Sequence, residues 1–295
     1  MIRLGTRGSR LARTQSGFVA DVIGAEVGPV ETIVIRSEGD DTRVPLDSFA
    51  RPGAFVAALQ DALLGGRVDV VVHSYKDLPS APTPGLVVAA VPVRASVRDV
   101  LVTRDRLPLA DLPVGATVGT SSPRRSAAVL RARPDLIVVP LRGNVDTRLR
   151  AVAEGRLDAI VLAEAGLERL GLLTADMAPI DAEVMLPAPA QGALAVECRA
   201  DDPLAPDLAR LDDQPSRLCV TAERAVLAEV EAACTTAVGA LARIESGWLH
   251  LTAEISDHRG VSYAQHSDRI EIDGGTVAAD ELGRRVARWL LAGPR

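Results

Sequence analysis

Six arginines stand where the pattern of this chain changes from strand to loop: Arg7, Arg124, Arg125, Arg142, Arg148 and Arg169. Two of the loops open with Gly-Thr and run into a helical stretch, Gly5-Thr6-Arg7-Gly8-Ser9 and Gly119-Thr120-Ser121-Ser122-Pro123. Helix N-termini offer free N–H groups and a positive dipole end, so they bind anions. Ordinary N-capping by Ser and Thr is the plain alternative, but both turns also carry arginines, which favours anion binding. Leu141–Arg148 follows a buried strand directly, with Gly143 allowing a sharp turn and Arg142 and Arg148 leaving its two ends. Arg169 follows another strand. In open α/β sheets ligands gather beyond the carboxyl ends of the strands, so all six arginines are candidates to face one cleft. Guanidinium forks suit planar carboxylates. Arg131, Arg133, Arg150 and Arg156 read instead as surface arginines paired with surface acids.

A second group is His73-Ser74-Tyr75-Lys76-Asp77-Leu78-Pro79, beyond the buried-type strand Asp69–His73. An acid past a strand end and beside a lysine is a candidate site carboxylate; it is equally a turn residue ahead of Pro79. His73 reads as structural. Lys76 is the only lysine in the chain. An arginine-favouring coding bias accounts for that, and leaves Lys76 as a place where arginine does not serve. Of three cysteines, Cys198 lies in an apolar run and Cys219 in a helix, as small buried hydrophobes do. Cys234, in Ala232-Ala233-Cys234-Thr235-Thr236, falls just past a helix among small side chains that leave room around its sulfur. By its own pattern it is still readable as structural.

The elements that must position these residues alternate. Strands are expected at Met1–Leu4, Thr32–Arg36, Asp69–His73, Ala116–Gly119, Leu136–Pro140 and Asp158–Leu162. Helices are expected at 10–23, Phe55–Leu64 and 124–133. Two echoes recur in the same order: the Gly-Thr turns, and Gly66-Arg67-Val68-Asp69-Val70-Val71-Val72 beside Gly155-Arg156-Leu157-Asp158-Ala159-Ile160-Val161. The fold class is therefore α/β, with two similar lobes around a cleft. The lobes are joined near Arg94–Asp99 and the proline-rich Leu186–Gln191. Lobe one takes 1–94 and 190–212, and lobe two 98–187. A small α+β third domain takes 215–295, with helices at Leu218–Glu231 and Ala278–Leu291. Paired strands at Leu249–Ile255 and Val261–His266 flank a turn at 257–260.

Composition bounds the function. With 295 residues and 47% apolar content the chain can bury more than one core. A net charge of −6 and 2% aromatics argue against nucleic-acid binding. No apolar run approaches the roughly 18 residues of a membrane span. Met1-Ile2-Arg3-Leu4-Gly5 has no basic-then-apolar leader pattern, and the few cysteines suit a reducing compartment. A cytoplasmic chain with no metal site is expected.

Taken together, the blocks resemble the hydroxymethylbilane synthase (porphobilinogen deaminase) family over nearly the whole chain. They are Gly5-Thr6-Arg7 with Ser9 and Gln15; His73-Ser74 with Lys76-Asp77; Val118–Ser122 with Arg124-Arg125; Leu141-Arg142-Gly143-Asn144 with Thr147-Arg148; Ala165-Gly166-Leu167 with Arg169; Gln191-Gly192-Ala193; and Ala222-Glu223-Arg224-Ala225 followed by Cys234.

The resemblance implies two lobes like those of periplasmic binding proteins and a third domain bearing a cysteine. On that cysteine, Cys234, it implies a dipyrromethane cofactor joined as a thioether. It further implies a monomer that condenses four porphobilinogens head to tail with loss of ammonia and releases hydroxymethylbilane by hydrolysis. Asp77 would be catalytic and contact pyrrole N–H groups. Lys76, Ser122, Arg124, Arg125, Arg142 and Arg148 would bind the cofactor. Arg7, Ser9, Gln15, Ser74, Arg169 and Gln191 would bind substrate. The chain departs from the family pattern in having Ala232-Ala233 where Gly-Gly is common before the cysteine. Lysine is also common at two positions where this chain has Gly8 and Ala57. The rival reading is a non-catalytic two-lobe protein binding a small carboxylate, which would need neither Cys234 nor a third domain.

Overall fold

The computed structural model describes residues 1–35, 54–231, 237–257 and 259–293. They form two units, Met1–Ala95 with Ala193–Arg217, and Ser96–Gly192 with Leu218–Arg295. In chain order the first unit opens with β1 (Ile2–Thr6), α1 (Arg10–Glu26), β2 (Val30–Val34), α2 (Ala54–Leu64), β3 (Val70–Ser74) and β4 (Leu86–Ala90). The second unit follows with β5 (Asp99–Thr103), β6 (Thr117–Gly119), α3 (Pro123–Ala132), β7 (Ile137–Val139), α4 (Val145–Ala153), β8 (Ala159–Ala163), α5 (Glu164–Arg169) and β9 (Ala178–Ile180). β10 (Leu194–Arg199) and α6 (Ala205–Leu208) return to the first unit, and α7 (Gln214–Glu231) leads on to β11 (Ala237–Glu245), β12 (Trp248–Ser256), β13 (Tyr263–Glu271) and α8 (Gly275–Ala292).

The first sheet has the order β2-β1-β3-β10-β4, with β1 parallel to β2 and β3, and β10 antiparallel to β3 and β4. The strand β3 is apolar on both faces because both are covered. Val70 and Val72 join Leu4, Val19 and Ile23 on the α1 side, while Val71 joins Leu59 and Leu63 on the α2 side. Gly5 lets β1 approach closely, since a Cβ there would stand 3.0 Å from Val71.

The second sheet repeats this plan in the order β7-β6-β8-β5-β9. β6 is parallel to β7 and β8, and β5 is antiparallel to β8 and β9. Val118, Val129 and Val161 pack on one face, and Val152, Ile160 and Leu162 on the other. Gly119 stands where Gly5 stands in the first sheet; a Cβ there would meet Leu157 at 2.5 Å. The echoes at Gly66 and Gly155 are one shared helix ending. Each glycine has φ near +70° (+65° and +72°), and the next residue's N–H reaches back to Ala62 or Ala151 at 2.9 Å.

Within the second unit a three-stranded antiparallel sheet, β11-β12-β13, is covered by α7 and α8 through Leu218, Val226, Val230, Leu249, Leu251, Leu282, Val286 and Leu290. Asp257 forms the turn between β12 and β13 by accepting from the N–H groups of Arg259, Val261 and Ser262. Ala240 N–H donates to Pro187 O at 2.9 Å, tying β11 to the proline-rich segment.

Several expectations need correction. Leu141–Arg148 is not one turn with an arginine at each end: Asn144 caps α4, accepting from Thr147 N at 2.9 Å, so Arg148 lies on a helix. Asp99, assigned to a joint, opens β5, the fourth strand of its sheet. Arg131 is not a surface pair, because it bridges the buried Glu254 at 3.2 Å and stacks over Tyr263. Arg156 does pair with an exposed acid, Glu154.

Candidate functional site

In the first unit the residues gather at the carboxyl ends of two neighbouring parallel strands. β1 runs out into Arg7, Gly8 and Ser9, and Ser9 is the N-cap of α1, its Oγ accepting from Ala12 N at 3.2 Å. A hydroxyl that accepts in this way still has its own proton to donate to an anion. β3 runs out into Ser74 and a single 3-10 turn, Tyr75–Asp77. The side chains of Gln15 and Ser74 are linked, with Nε2 to Oγ at 3.1 Å, which joins α1 to the end of β3. The turn is anchored on both sides: Tyr75 N–H donates to Ala193 O at 3.0 Å, and Leu78 packs with Val56 and Ala195. Asp77, on the far corner of the turn, is exposed, with Lys76 half-buried beside it. A carboxylate on a turn fixed at both ends keeps its charge in one place, as electrostatic stabilisation of a cation requires.

His73 does not reach this edge. It is buried, and its Nε2 lies 3.1 Å from Oε2 of Glu197 on β10, which also accepts from Gln60 Nε2 at 3.0 and 3.2 Å. Thr83 Oγ1 donates to Gln60 Oε1 to complete the chain. Glu197 and Gln60 were not singled out, because a lone acid in Leu-Ala-Val-Glu-Cys-Arg shows no partner until β10 is laid beside β3.

In the second unit the arginines gather at the corresponding strand ends. Ser122 caps α3, its Oγ accepting from Arg125 N at 3.4 Å, with Pro123 at the first helical position. Ser121 Oγ and the main chain of Leu141 hold the ends of β6 and β7 together at 2.9 and 3.0 Å. Arg124 and Arg125 are buried, and both reach Asp99: Arg124 Nη2 to Oδ2 at 2.7 Å, and Arg125 Nη2 to Oδ1 at 2.8 Å. Their other amino groups donate to Leu186 O and Val161 O. Arg142 is exposed. Arg148 is half-buried and donates to Gly143 O; burial, then the like charge of Arg125, hold its guanidinium below its usual pKa. Arg169 donates to Gly192 O at 2.6 Å, and burial depresses its pKa too.

Gln191, expected to contact substrate, is fully buried. Its Nε2 donates to Val97 O at 2.8 Å and to Asp99 Oδ1 at 3.0 Å, so its amide braces the start of β5. Glu223 is likewise fully buried and accepts from Ala190 N at 2.7 Å and Ala242 N at 2.8 Å. It fixes Ala190, whose φ is +61°. Cys234 lies outside the described residues. Cys198 and Cys219 are buried, and burial pushes the Cys198 thiol up to about 11, where little reactive thiolate forms.

A buried cluster with more guanidinium than carboxylate suits a ligand rich in carboxylates. Among the described residues, Nε of both Arg124 and Arg125 is buried with no hydrogen-bond partner. No helix among them is long and apolar enough to cross a membrane.

Comparison with known proteins agrees with these blocks. A family model described as porphobilinogen deaminase, dipyromethane cofactor binding domain, matches residues 2–206, and one described as porphobilinogen deaminase, C-terminal domain, matches 217–292. A protein of Nocardia farcinica (strain IFM 10152) named porphobilinogen deaminase is 47% identical and covers 98% of this chain and 85% of its own length. One of the same name from Thermobifida fusca (strain YX) is 49% identical, covering 98% of this chain and 92% of its own. Among solved structures, the methionine binding protein MetQ is 13% identical with a TM-score of 0.46, covering 77% of this chain and 94% of that one. The chain belongs to the porphobilinogen deaminase family.

Proposed function

We propose that this chain condenses four porphobilinogens head to tail, with loss of ammonia, and releases hydroxymethylbilane by hydrolysis, with Asp77 as the catalytic carboxylate. The observation that carries this assignment is the division of charge. The second unit draws arginines to its strand ends, where carboxylates can be held. The first unit fixes a single exposed acid at the end of β3.

When ammonia leaves porphobilinogen, the remaining azafulvene is cationic. Asp77 holds a fixed negative charge against that cation and accepts from the pyrrole N–H as it becomes more acidic. Arg7, Ser9 and Arg169 bind the acetate and propionate of the incoming ring, while Gln15 and Ser74 set the strand end beneath it. Lys76 adds a positive charge beside the acid.

Dipyrromethane, joined through the sulfur of Cys234, supplies the free pyrrole carbon from which the chain grows. Ser122, Arg124, Arg125, Arg142 and Arg148 hold its carboxylates, and the surplus positive charge around Asp99 fits that load. On this reading 215–295 carries the attachment point, 98–187 the arginines, and 1–94 with 190–212 the catalytic acid. The chain works as a cytoplasmic monomer.

Incubation of the purified chain with porphobilinogen tests the assignment. Ammonia and a linear tetrapyrrole are expected in a ratio of four to one, the stoichiometry of the proposed reaction; unchanged porphobilinogen contradicts it. Single leucine substitutions at Arg125, Arg142 and Arg148 are expected to stall with enzyme-bound chains of different length, visible as discrete masses. If all three only raise KM and leave no stalled species, the arginines do not serve successive rings.

A further inference from the structure

We propose that Asp99 is a positioning residue for this reaction: a buried carboxylate, braced by Gln191, that aligns Arg124 and Arg125 so that the pair faces a bound carboxylate with surplus positive charge. The inference rests on reading those two arginines as cofactor-binding residues. Asp99 is 1% exposed, so it cannot touch a ligand itself. Both of its oxygens are taken, Oδ2 by Arg124 at 2.7 Å and Oδ1 by Arg125 at 2.8 Å, with Gln191 Nε2 at 3.0 Å from Oδ1. Gln191 donates as well to Val97 O and Arg98 O, so the main chain leading to Asp99 is fixed by the same amide.

The ratio of charges separates this arrangement from an ordinary structural bridge. A pair that only stabilises a core is balanced, because an uncompensated buried charge is costly. Here one carboxylate serves two guanidiniums. Their remaining amino groups meet main-chain carbonyls, which orient them without neutralising them. The next charges do not restore balance. Glu254 is bridged by Arg131, and Arg148 brings a further positive charge towards Arg125. Among the described residues, four guanidiniums (Arg124, Arg125, Arg131 and Arg148) thus stand with two carboxylates, Asp99 and Glu254. Burial depresses the pKa of Arg124, and the like charge of Arg125 acts in the same direction. Such a cluster is relieved when an anion arrives. Ligand binding is then favoured by the like-charge repulsion that the free site carries. Asp99 limits that repulsion to a tolerable level and sets the direction of both forks. Gln191 suits its place because it is neutral: a Glu there would oppose Asp99, and a shorter side chain would lose the reach to Val97 and Asp99 together.

The test uses the full chain. Asp99→Asn keeps the shape but removes the charge. Intact mass reads the fraction carrying dipyrromethane, masses after porphobilinogen addition read elongation, and thermal melting reads stability. Well below its melting midpoint, Asp99→Asn is expected to lose cofactor loading or elongation by about 10-fold or more, the scale of one charge-assisted partner. Normal loading and elongation with only a lowered melting midpoint overturns the proposal and leaves Asp99 as a structural ion pair. If Asp99→Asn does not fold, Gln191→Met decides. It should fold and show the same loss to a smaller degree; normal loading and normal elongation overturn the proposal. Arg124→Leu and Arg125→Leu are measured alongside. If they load and elongate normally, the underlying cofactor reading fails. If they fail while Asp99→Asn is normal, only the positioning role fails.

Discussion

In the first unit the acid that enters the sheet interior from its antiparallel fourth strand is Glu197; in the second it is Asp99. The two strands, β10 and β5, occupy the same place in sheets of the same order. Glu197 gathers Gln60 and His73, so its surroundings can be neutral or balanced, and the network ends in the core. Asp99 sits at the very start of β5, opposite the last residue of β8, and gathers two arginines at the edge where ligands collect. One topology therefore supports two electrostatic designs, and the difference lies in a few residues of register along one strand. It also explains the division of labour. Among the described residues the first unit places one carboxylate, Asp77, at the end of β3, with Lys76 beside it and Arg7 at the neighbouring strand end. The second concentrates positive charge where carboxylates are to be held.

The largest expected effect comes from breaking the first design at its edge. Asp77→Asn should leave the fold intact and lower turnover by about 10²–10³, the usual loss on removing one preorganised electrostatic partner. Turnover within a few fold of the parent would show that the charge of Asp77 is not what the first unit contributes.

Next comes the core acid of the same unit. Glu197→Ala strands Gln60 and His73 without their buried acceptor and should destabilise the chain by about 3 kcal/mol, as for loss of one member of a buried polar cluster. Urea unfolding measures it. Its loss of turnover per folded molecule should be smaller than that of Asp99→Asn, since among the described residues the partners of Glu197 are Gln60 and His73 rather than arginines. The reverse ranking would dissolve the contrast between the two acids.

The smallest effect compares Asp69 and Asp158, the acids of the paired glycine segments. Asp69 is held below the usual carboxylate range first by the Arg3 side chain, whereas Asp158 is held there first by the Thr117 main-chain N–H. Both therefore contribute stability that is complete above the ordinary pKa near about 4 and is lost as pH falls through the depressed folded value. Arg3→Gln should move the Asp69 titration, followed by carboxyl NMR, up towards its ordinary value. Thr117→Val should move Asp158 less, because the N–H remains. Equal movements would mean that the two segments are held alike.

Much of this frame was legible. Val70–Val72 is an apolar run flanked by turns, and Arg10–Glu26 opens with a capping serine, so strand and helix periodicities stand out. Arg124 and Arg125 declared themselves through the Gly-Thr turn ahead of them. What stayed hidden depends on neighbours far away in the chain. Asp99 looked like part of a joint because only the pairing of β5 with β8, some sixty residues on, places it beneath α3. Gln191 was placed at the ligand by the family resemblance alone, and only the fold shows its amide set against Asp99. The helix α4 was masked by Gly143-Asn144, whose turn signal outweighed the helix that Asn144 caps. The strand β11 carries three alanines and a glycine against two β-branched residues, Val238 and Ile244, so its propensity is weak.

The central claim is that this chain builds its product on a pyrrole pair anchored to one cysteine, and intact mass with peptide mapping tests it most directly. The purified chain is predicted to exceed its calculated mass by one dipyrromethane, with the adduct on the peptide containing Cys234. Cys234→Ser should lose that added mass and all turnover together, while Cys198→Ser and Cys219→Ser keep both. An unmodified parent chain, or an adduct on Cys198 or Cys219, would contradict the account.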